Sequence, residues 1–391
     1  MNQRTTCTPE LNVTMGEPWT IASAATSGSE HIQYPMLWCL RDGTLLLTYH
    51  IDPDINAARR ACLRSVDNGK TWTPDPPRTS REEAMIQLRN GTVLAQHTFS
   101  IATAPSSKQS KGSLFRSRDD GRTFEGPIEV TVNMPSGQGQ IPRKLMNDAA
   151  GRLYGSPGYE GPEDFEPTMV FWREGLELPD GSLLASLYGW WAGDVKFRSV
   201  VAVSKDQGLT FDYLSTVGYE PDAELDVGTH EGHDEPVLSW TSAGDILCMM
   251  RIGQCKSHEC NWPAPGQIRQ GQCKGMPMHQ ARSSDYGKTW SKPTSVGVCS
   301  VDPDLVLMSN GVLVCSYGRP GNWIMFDFTG TGDNWQEPIL VQWEGGVTGY
   351  TGTREIAPGK LLHIYDDKCV DEVSGGVANC LRGIEITVER Q

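Results

Sequence analysis

Ser65-Val66-Asp67-Asn68-Gly69-Lys70-Thr71-Trp72 decides the fold of this chain, because its pattern, S-x-D-x-G-x-T-(W/F), returns at Ser117 to Phe124, Ser204 to Phe211 and Ser283 to Trp290. A worn fifth copy runs from Asp327 to Trp335. The chemistry of the pattern is local. Asp accepts backbone hydrogen bonds across a tight turn, Gly supplies a positive-φ position, and the aromatic plugs the turn onto a core. It reads as a hairpin lock, not as a catalytic site, and recurrence at fixed structural intervals is the mark of a repeat architecture.

Working outward from the locks, each is preceded by an apolar strand, a polar turn ending in Gly, and another apolar strand. Examples are Leu40-Arg41-Asp42-Gly43-Thr44-Leu45-Leu46, Leu88-Arg89-Asn90-Gly91-Thr92-Val93-Leu94 and Leu178-Pro179-Asp180-Gly181. Gly244, Gly311 and Gly359 close three more such turns. These are hairpin signals in a chain with hardly any helical periodicity. The six glycines lie 48, 90, 63, 67 and 48 residues apart, the spacing of four-stranded blades with variable loops. The reading is all-β, a six-bladed β-propeller. The 90-residue gap holds one more candidate hairpin at Gly151, which fits as part of blade three; counted separately it would make seven blades.

Composition bounds the function. The chain has 391 residues, 38% hydrophobic and 21% charged, with a formal net charge of −14. That acidity disfavours nucleic acid and anionic membrane surfaces as partners, and no run approaches the roughly 18 apolar residues of a membrane helix. Residues 1–391 read as one propeller domain with 1–28 as a leading segment. MNQRTTCTPELNV has no apolar signal-peptide core, which leaves the compartment open between cytoplasmic and, with a leader removed, secreted or periplasmic. Eleven cysteines are an odd number spread over a large chain. Cys255, Cys260 and Cys273 with His258 lack the paired knuckles of common zinc sites, so no metal or cofactor is assigned. Cys369 and Cys380 are placed to clasp the last hairpin in an oxidising compartment.

Four such locks on hairpin-built blades resemble the sialidase superfamily, over residues from about 30 to 386. The lock also occurs on non-catalytic propellers, so function rests on the site residues. Sialidase substrates carry a carboxylate on the anomeric carbon, which would repel a carboxylate nucleophile; these enzymes use tyrosine instead. A neutral phenol needs a nearby base. The resemblance implies a Tyr–Glu pair, an Asp acid/base and three arginines around the substrate carboxylate.

Carried over one at a time, Tyr350 in Gly349-Tyr350-Thr351-Gly352 resembles the nucleophile and Glu235 in His233-Asp234-Glu235-Pro236 the glutamate that polarises it. Arg251, ending Ile246 to Arg251, and Arg319, in Tyr317-Gly318-Arg319-Pro320, resemble two of the carboxylate-binding arginines. Asp54, 13 residues before Asp67, resembles the acid/base, with Asp52 its near competitor. The departure is at the first arginine: Gln33-Tyr34-Pro35 stands where the family has Arg-Ile-Pro, and Gln brings hydrogen bonds without charge. Arg41, Arg59 and Arg60 are the candidate substitutes, with Arg41 on a turn tip facing away.

The resemblance therefore implies a retaining exo-glycosidase whose partner is a glycan ending in sialic acid or a related acidic sugar. A different terminal sugar, or a non-catalytic glycan-binding propeller, are the competing readings. Trp190, Trp191 and Trp323 are candidates for a sugar-stacking floor, though blade aromatics more often serve packing. His230, His233 and His279 flank the site in sequence and read first as hydrogen-bonded loop residues.

Overall fold

A computed structural model describes every residue except 1–4, 9–10, 28, 30, 52–59, 76–81, 105, 139–166, 222–231, 254–276, 319–320, 344–347, 371–375 and 391. The described chain is built of strands, with one four-residue helix, Ala24–Ser27. It is a six-bladed β-propeller. Blade one is Gln33–Cys39, Leu45–His50, Arg60–Ser65 and Thr73–Asp75; blade four is His233–Trp240, Ile246–Ile252, Pro277–Ser283 and Thr294–Cys299. Blade five is Val301–Leu307, Leu313–Gly318, Asn322–Asp327 and Ile339–Gln342, and each of these three is a separate antiparallel sheet.

Blades two (Glu82–Gln87, Val93–His97, Gln109–Ser117, Glu125–Asn133) and three (Pro167–Phe171, Leu183–Gly189, Arg198–Ser204, Thr210–Gly218) merge into one ten-stranded sheet. Phe99–Ala102 pairs with a strand of each, and their outermost strands run parallel through Thr131 and Thr210. Blade six begins with Thr351–Ala357, Lys360–Val370 and Val377–Arg390. Its outer edge is completed by Leu11–Met15 and Trp19–Ser23 from the other end of the chain. The leading segment is thus woven into the last blade.

Burial explains the sequence pattern. Second strands are sandwiched between neighbouring blades, so they are apolar without alternation: Leu45–His50, Ile246–Ile252 and Leu313–Gly318 are buried at every residue. This is the pattern expected where both faces of a sheet are covered. The outermost strand Glu125–Asn133 meets solvent and carries its buried residues only near its end. The glycine turns repeat as read: the N–H of Gly43, Gly91, Gly181, Gly244 and Gly311 each donates to the carbonyl three residues back, at 2.8–3.0 Å. The Gly151 candidate lies outside the described residues.

The Asp locks do more than close turns. Asp67 Oδ1 accepts from Thr71 N at 2.9 Å and from Ser65 Oγ at 2.8 Å, while Ser65 Oγ accepts from Gly69 N at 2.9 Å. The same set recurs around Asp119, Asp206 and Asp285. The worn copy works too, with Asp327 accepting from Thr329 N and Gly332 N. Each lock glycine presses on the preceding blade: Gly121 on Leu40, Gly208 on Leu114, Gly287 on Leu184 and Gly332 on Leu247. Gly69 of blade one presses on Leu362 of blade six, where a Cβ would come within 2.5 Å of a leucine methyl. Five locks therefore run round the ring, and the sixth blade has the N-terminal strands instead.

Around the axis the innermost strands of blades four, five, six and one contact one another in turn. Three of them open with a β-bulge at a left-handed residue followed by proline: Tyr34 (φ 56°), Glu235 (φ 47°) and Asp302 (φ 49°). A non-glycine residue at such φ is costly and is held only where its surroundings fix it. The bulge turns that side chain away from the strand's alternation and toward the axis.

Candidate active site

The bulges bring Glu235 to Tyr350. Tyr350 follows Gly349, whose N–H and that of Thr348 donate to the buried Asp366 carboxylate. Glycine is needed at 349 for its φ of 82°, and at 318 because a Cβ there would lie 1.9 Å from the Gly349 carbonyl oxygen. From this fixed turn Tyr350 Oη donates a hydrogen bond to Glu235 Oε1. The same oxygen accepts from Arg251 Nη1 at 3.0 Å, and Oε2 accepts from Asp302 N at 2.7 Å. Both carboxylate oxygens are therefore satisfied in a buried position, which is how a buried charge is tolerated.

Burial pushes the Tyr350 hydroxyl well above the ordinary phenol range, and the Glu235 charge pushes it further; Arg251 pulls the other way but does not win. The phenol keeps its proton at neutral pH and offers it to a carboxylate already in contact. The phenolic proton therefore has an acceptor within hydrogen-bond reach.

Aromatic rings frame the phenol. Tyr34 meets Tyr350 edge-on with centroids 4.4 Å apart, and Trp172 does so at 6.2 Å. Behind Tyr34, His50 lies at 5.0 Å, and its Nε2 is 2.6 Å from Arg60 Nη2. Gln33, His50 and Arg60 are register partners across blade one, so Arg60 brings a buried cation to the level where Gln33 stands. Of the three candidate substitutes for the missing arginine, Arg41 bonds the next blade's turn through Gln87 and the Arg89 carbonyl, on the exposed side. Arg59 lies outside the described residues.

Below Tyr350 the axis is filled by a column of charge. Arg173 Nε donates to Asp302 Oδ1 at 2.9 Å, its Nη2 also pairs with Asp302 and donates to the Thr351 carbonyl at 2.7 Å, and its Nη1 is 3.4 Å from Asp304. Arg354 continues the column to Asp304 at 2.8 Å and Glu174 at 3.3 Å. The Trp172 indole donates to Asp302 at 3.1 Å. Burial works against the Arg173 charge, yet Asp302 and Asp304 hold its guanidinium above its ordinary value.

Of the residues read from the sequence, Tyr350 and Arg251 both bond Glu235, and Gln33 is buried on the innermost strand of blade one. Arg251 is occupied by Glu235 and, at 3.8 Å, by Asp234. Asp52, Asp54, Arg319, His230 and the group Cys255, His258, Cys260 and Cys273 lie outside the described residues. Trp190 packs on Phe197, Trp191 stacks on the Arg198 guanidinium at 3.9 Å, and Trp323 is buried within blade five. The backbone register sets Cys369 opposite Ala378 and Cys380 opposite Asp367, two positions apart on the last hairpin; the Cys369 side chain lies outside the description. Cys299 is disulfide-bonded.

Sequence reasoning missed Tyr34, Trp172, Arg173 and Asp302. One signal was present: Tyr34-Pro35, Glu235-Pro236 and Asp302-Pro303 recur at the head of innermost strands.

Fold and site define a six-bladed propeller with a buried tyrosine–glutamate pair among its innermost strands. No protein-family model and no curated protein sequence matches the chain. Solved structures do. A protein of unknown function from Dyadobacter fermentans superposes with TM-score 0.67 at 18% identity, covering 96% of this chain and 99% of that one. The Hadza microbial sialidase Hz136 gives 0.60 at 16%, covering 93% and 68%. A Penicillium chrysogenum alpha-L-arabinanase complexed with arabinobiose gives 0.60 at 17%, covering 95% and 98%. At these identities the likeness is one of fold.

Proposed function

We propose that the chain is a retaining exo-glycoside hydrolase of the sialidase type, with Tyr350 as nucleophile and Glu235 as its base. The observation that carries the reading is the buried Tyr350 Oη donating to Glu235 Oε1. Glu235 takes the phenolic proton as the oxygen attacks the anomeric carbon, and Arg251 and Asp302 N hold the carboxylate in place for that transfer. An acid, assigned to Asp54, protonates the leaving oxygen; the resulting Asp54 carboxylate then takes a proton from water as the water displaces Tyr350 from the sugar, and Glu235 returns the phenolic proton, giving retention. Arg251, Arg319 and Gln33 are the groups assigned to the acidic sugar's carboxylate, and Arg60 stands at the register level of Gln33.

A second reading keeps the hydrolase and changes the sugar. It is favoured by Gln33 in place of an arginine and by Arg251 already facing two carboxylates, which leaves less positive charge for an acidic substrate. One of the similar folds is named as an arabinanase. The experiment is fluorophore release from a panel of α-sialosides, α-linked uronides and α-L-arabinofuranosides. The first reading expects α-sialosides to be turned over and the loss of that turnover in Tyr350→Phe. Release from arabinosides alone would establish the second. No release from any member, with glycan binding intact, would leave a binding propeller.

A further inference from the structure

Two histidines that the mechanism does not use meet a glutamate at the seam between blades three and four. His233 opens the innermost strand of blade four, His279 lies on its third strand, and Glu220 follows the outermost strand of blade three. One ligand atom of each lies within 4.8 Å of the others. Both imidazoles are buried, at 1% and 4% exposure, while Glu220 is half-buried and gives the site a side open to solvent. The rings meet at 5.7 Å and 67°, so they converge without stacking face to face. Gly218 leaves the space that the His233 ring needs: a Cβ there would lie 2.6 Å from its Cδ2 and 3.0 Å from Nε2.

From this geometry we infer that Glu220, His233 and His279 form a binding site for a divalent transition metal, with Zn2+ the ion of first choice. Two neutral imidazoles and one carboxylate are a common three-ligand set for zinc, leaving a fourth position to water. Hard cations such as Ca2+ and Mg2+ prefer all-oxygen sites and are disfavoured by the two nitrogens. The metal would tie the last residues of blade three to the first strand of blade four, two residues before Glu235. Its role is that of a clamp across a seam, and it stands independently of the tyrosine mechanism.

The test is calorimetric titration of the intact, EDTA-treated chain with ZnCl2, together with metal analysis after gel filtration and the Tm with and without Zn2+. One zinc per chain is expected, with Kd on the order of micromolar or tighter, and a Tm that rises with zinc concentration because the ion binds the folded state. Glu220→Ala, at the half-buried ligand, is expected to keep the fold and weaken binding at least about tenfold. His279→Ala should do the same or more, and Tyr350→Phe should leave zinc binding unchanged. Co2+ bound in place of zinc should give visible d–d bands that vanish in Glu220→Ala. No saturable zinc binding, wild-type affinity in both ligand variants, or equal competition by Ca2+ would overturn the proposal.

Discussion

Tyr350 and Glu235 share one hydrogen bond but differ in what their removal leaves behind. Tyr350→Phe deletes one oxygen and leaves Glu235 still bonded to Arg251 and Asp302 N, so the fold should change by no more than about 2 kcal/mol. Turnover on the best panel substrate should fall by roughly 1000-fold or more, since the oxygen proposed to attack is the one removed. Glu235→Gln removes a charge from a buried pair with Arg251 and should cost about 3 kcal/mol of stability as well as activity. Thermal unfolding beside steady-state kinetics separates the two variants; equal stability losses would mean that the Arg251 pairing is not what holds Glu235.

The tyrosine also sets an alkaline limit. Its hydroxyl is raised by burial and then by Glu235, while in the unfolded chain it titrates near pH 10. Its contribution to stability is whole below pH 10 and is lost as the pH climbs above that toward the folded value. Tyr350→Phe should therefore show a shallower fall in Tm above pH 10 than the parent. The meeting of these two residues was expected because their sequence surroundings resemble sialidase motifs. For Tyr34 and Asp302 the recurring proline after them was the one trace, since their direction comes from a left-handed bulge and hydrophobic periodicity does not report φ.

At the scale of the element, the locks were legible almost completely, because their hydrogen bonds are satisfied within eight residues of sequence. What the sequence did not disclose was their second function, the pressing of each lock glycine onto the preceding blade, which depends on contacts between blades. Asp67 and Asp285 are lowered to about 2 by the Thr side-chain and backbone bonds they accept, and Asp119 and Asp206 are lowered too. Groups lowered on folding contribute stability above their unfolded value near 4 and lose it as the pH falls toward 2. Four such carboxylates acting together should make Tm drop steeply between pH 4 and pH 2. The Asp67→Asn/Asp285→Asn pair should be less stable at pH 7 and show a flatter acid limb; parallel limbs would remove the locks from the account of acid unfolding. Asp206→Ala alone, losing bonds from Ser204, Leu209 and Thr210, should cost roughly 1 kcal/mol without altering the Tyr350–Glu235 site of the folded protein.

At the scale of the whole molecule, a ring of blades must be closed, and this chain closes it twice. Gly69 of blade one rests on Leu362 of blade six, so the run of locks reaches across the gap between the two ends of the chain. The second closure is the pairing of Leu11–Met15 and Trp19–Ser23 along the fourteen-residue strand Val377–Arg390, between Cys380 and Arg390. This closure was not legible in advance: residues 1–28 carry no lock and no glycine turn of the repeating kind, and strand pairing across more than 360 residues leaves no local trace. Val13 and Met15 are nonetheless core residues, packed with Ile384, Ile386 and Val388 and with blade five. Deleting residues 1–27 should therefore bare a long strand edge with its unpaired N–H and C=O groups beside an apolar face, the combination that recruits other chains. The expected result is a lower Tm and concentration-dependent self-association by light scattering, with Tyr350 and Glu235, on the opposite edge of the blades, retaining their contact in whatever fraction stays folded. A truncated chain that remains monomeric at unchanged Tm would show that the Gly69–Leu362 contact alone is enough to close the ring.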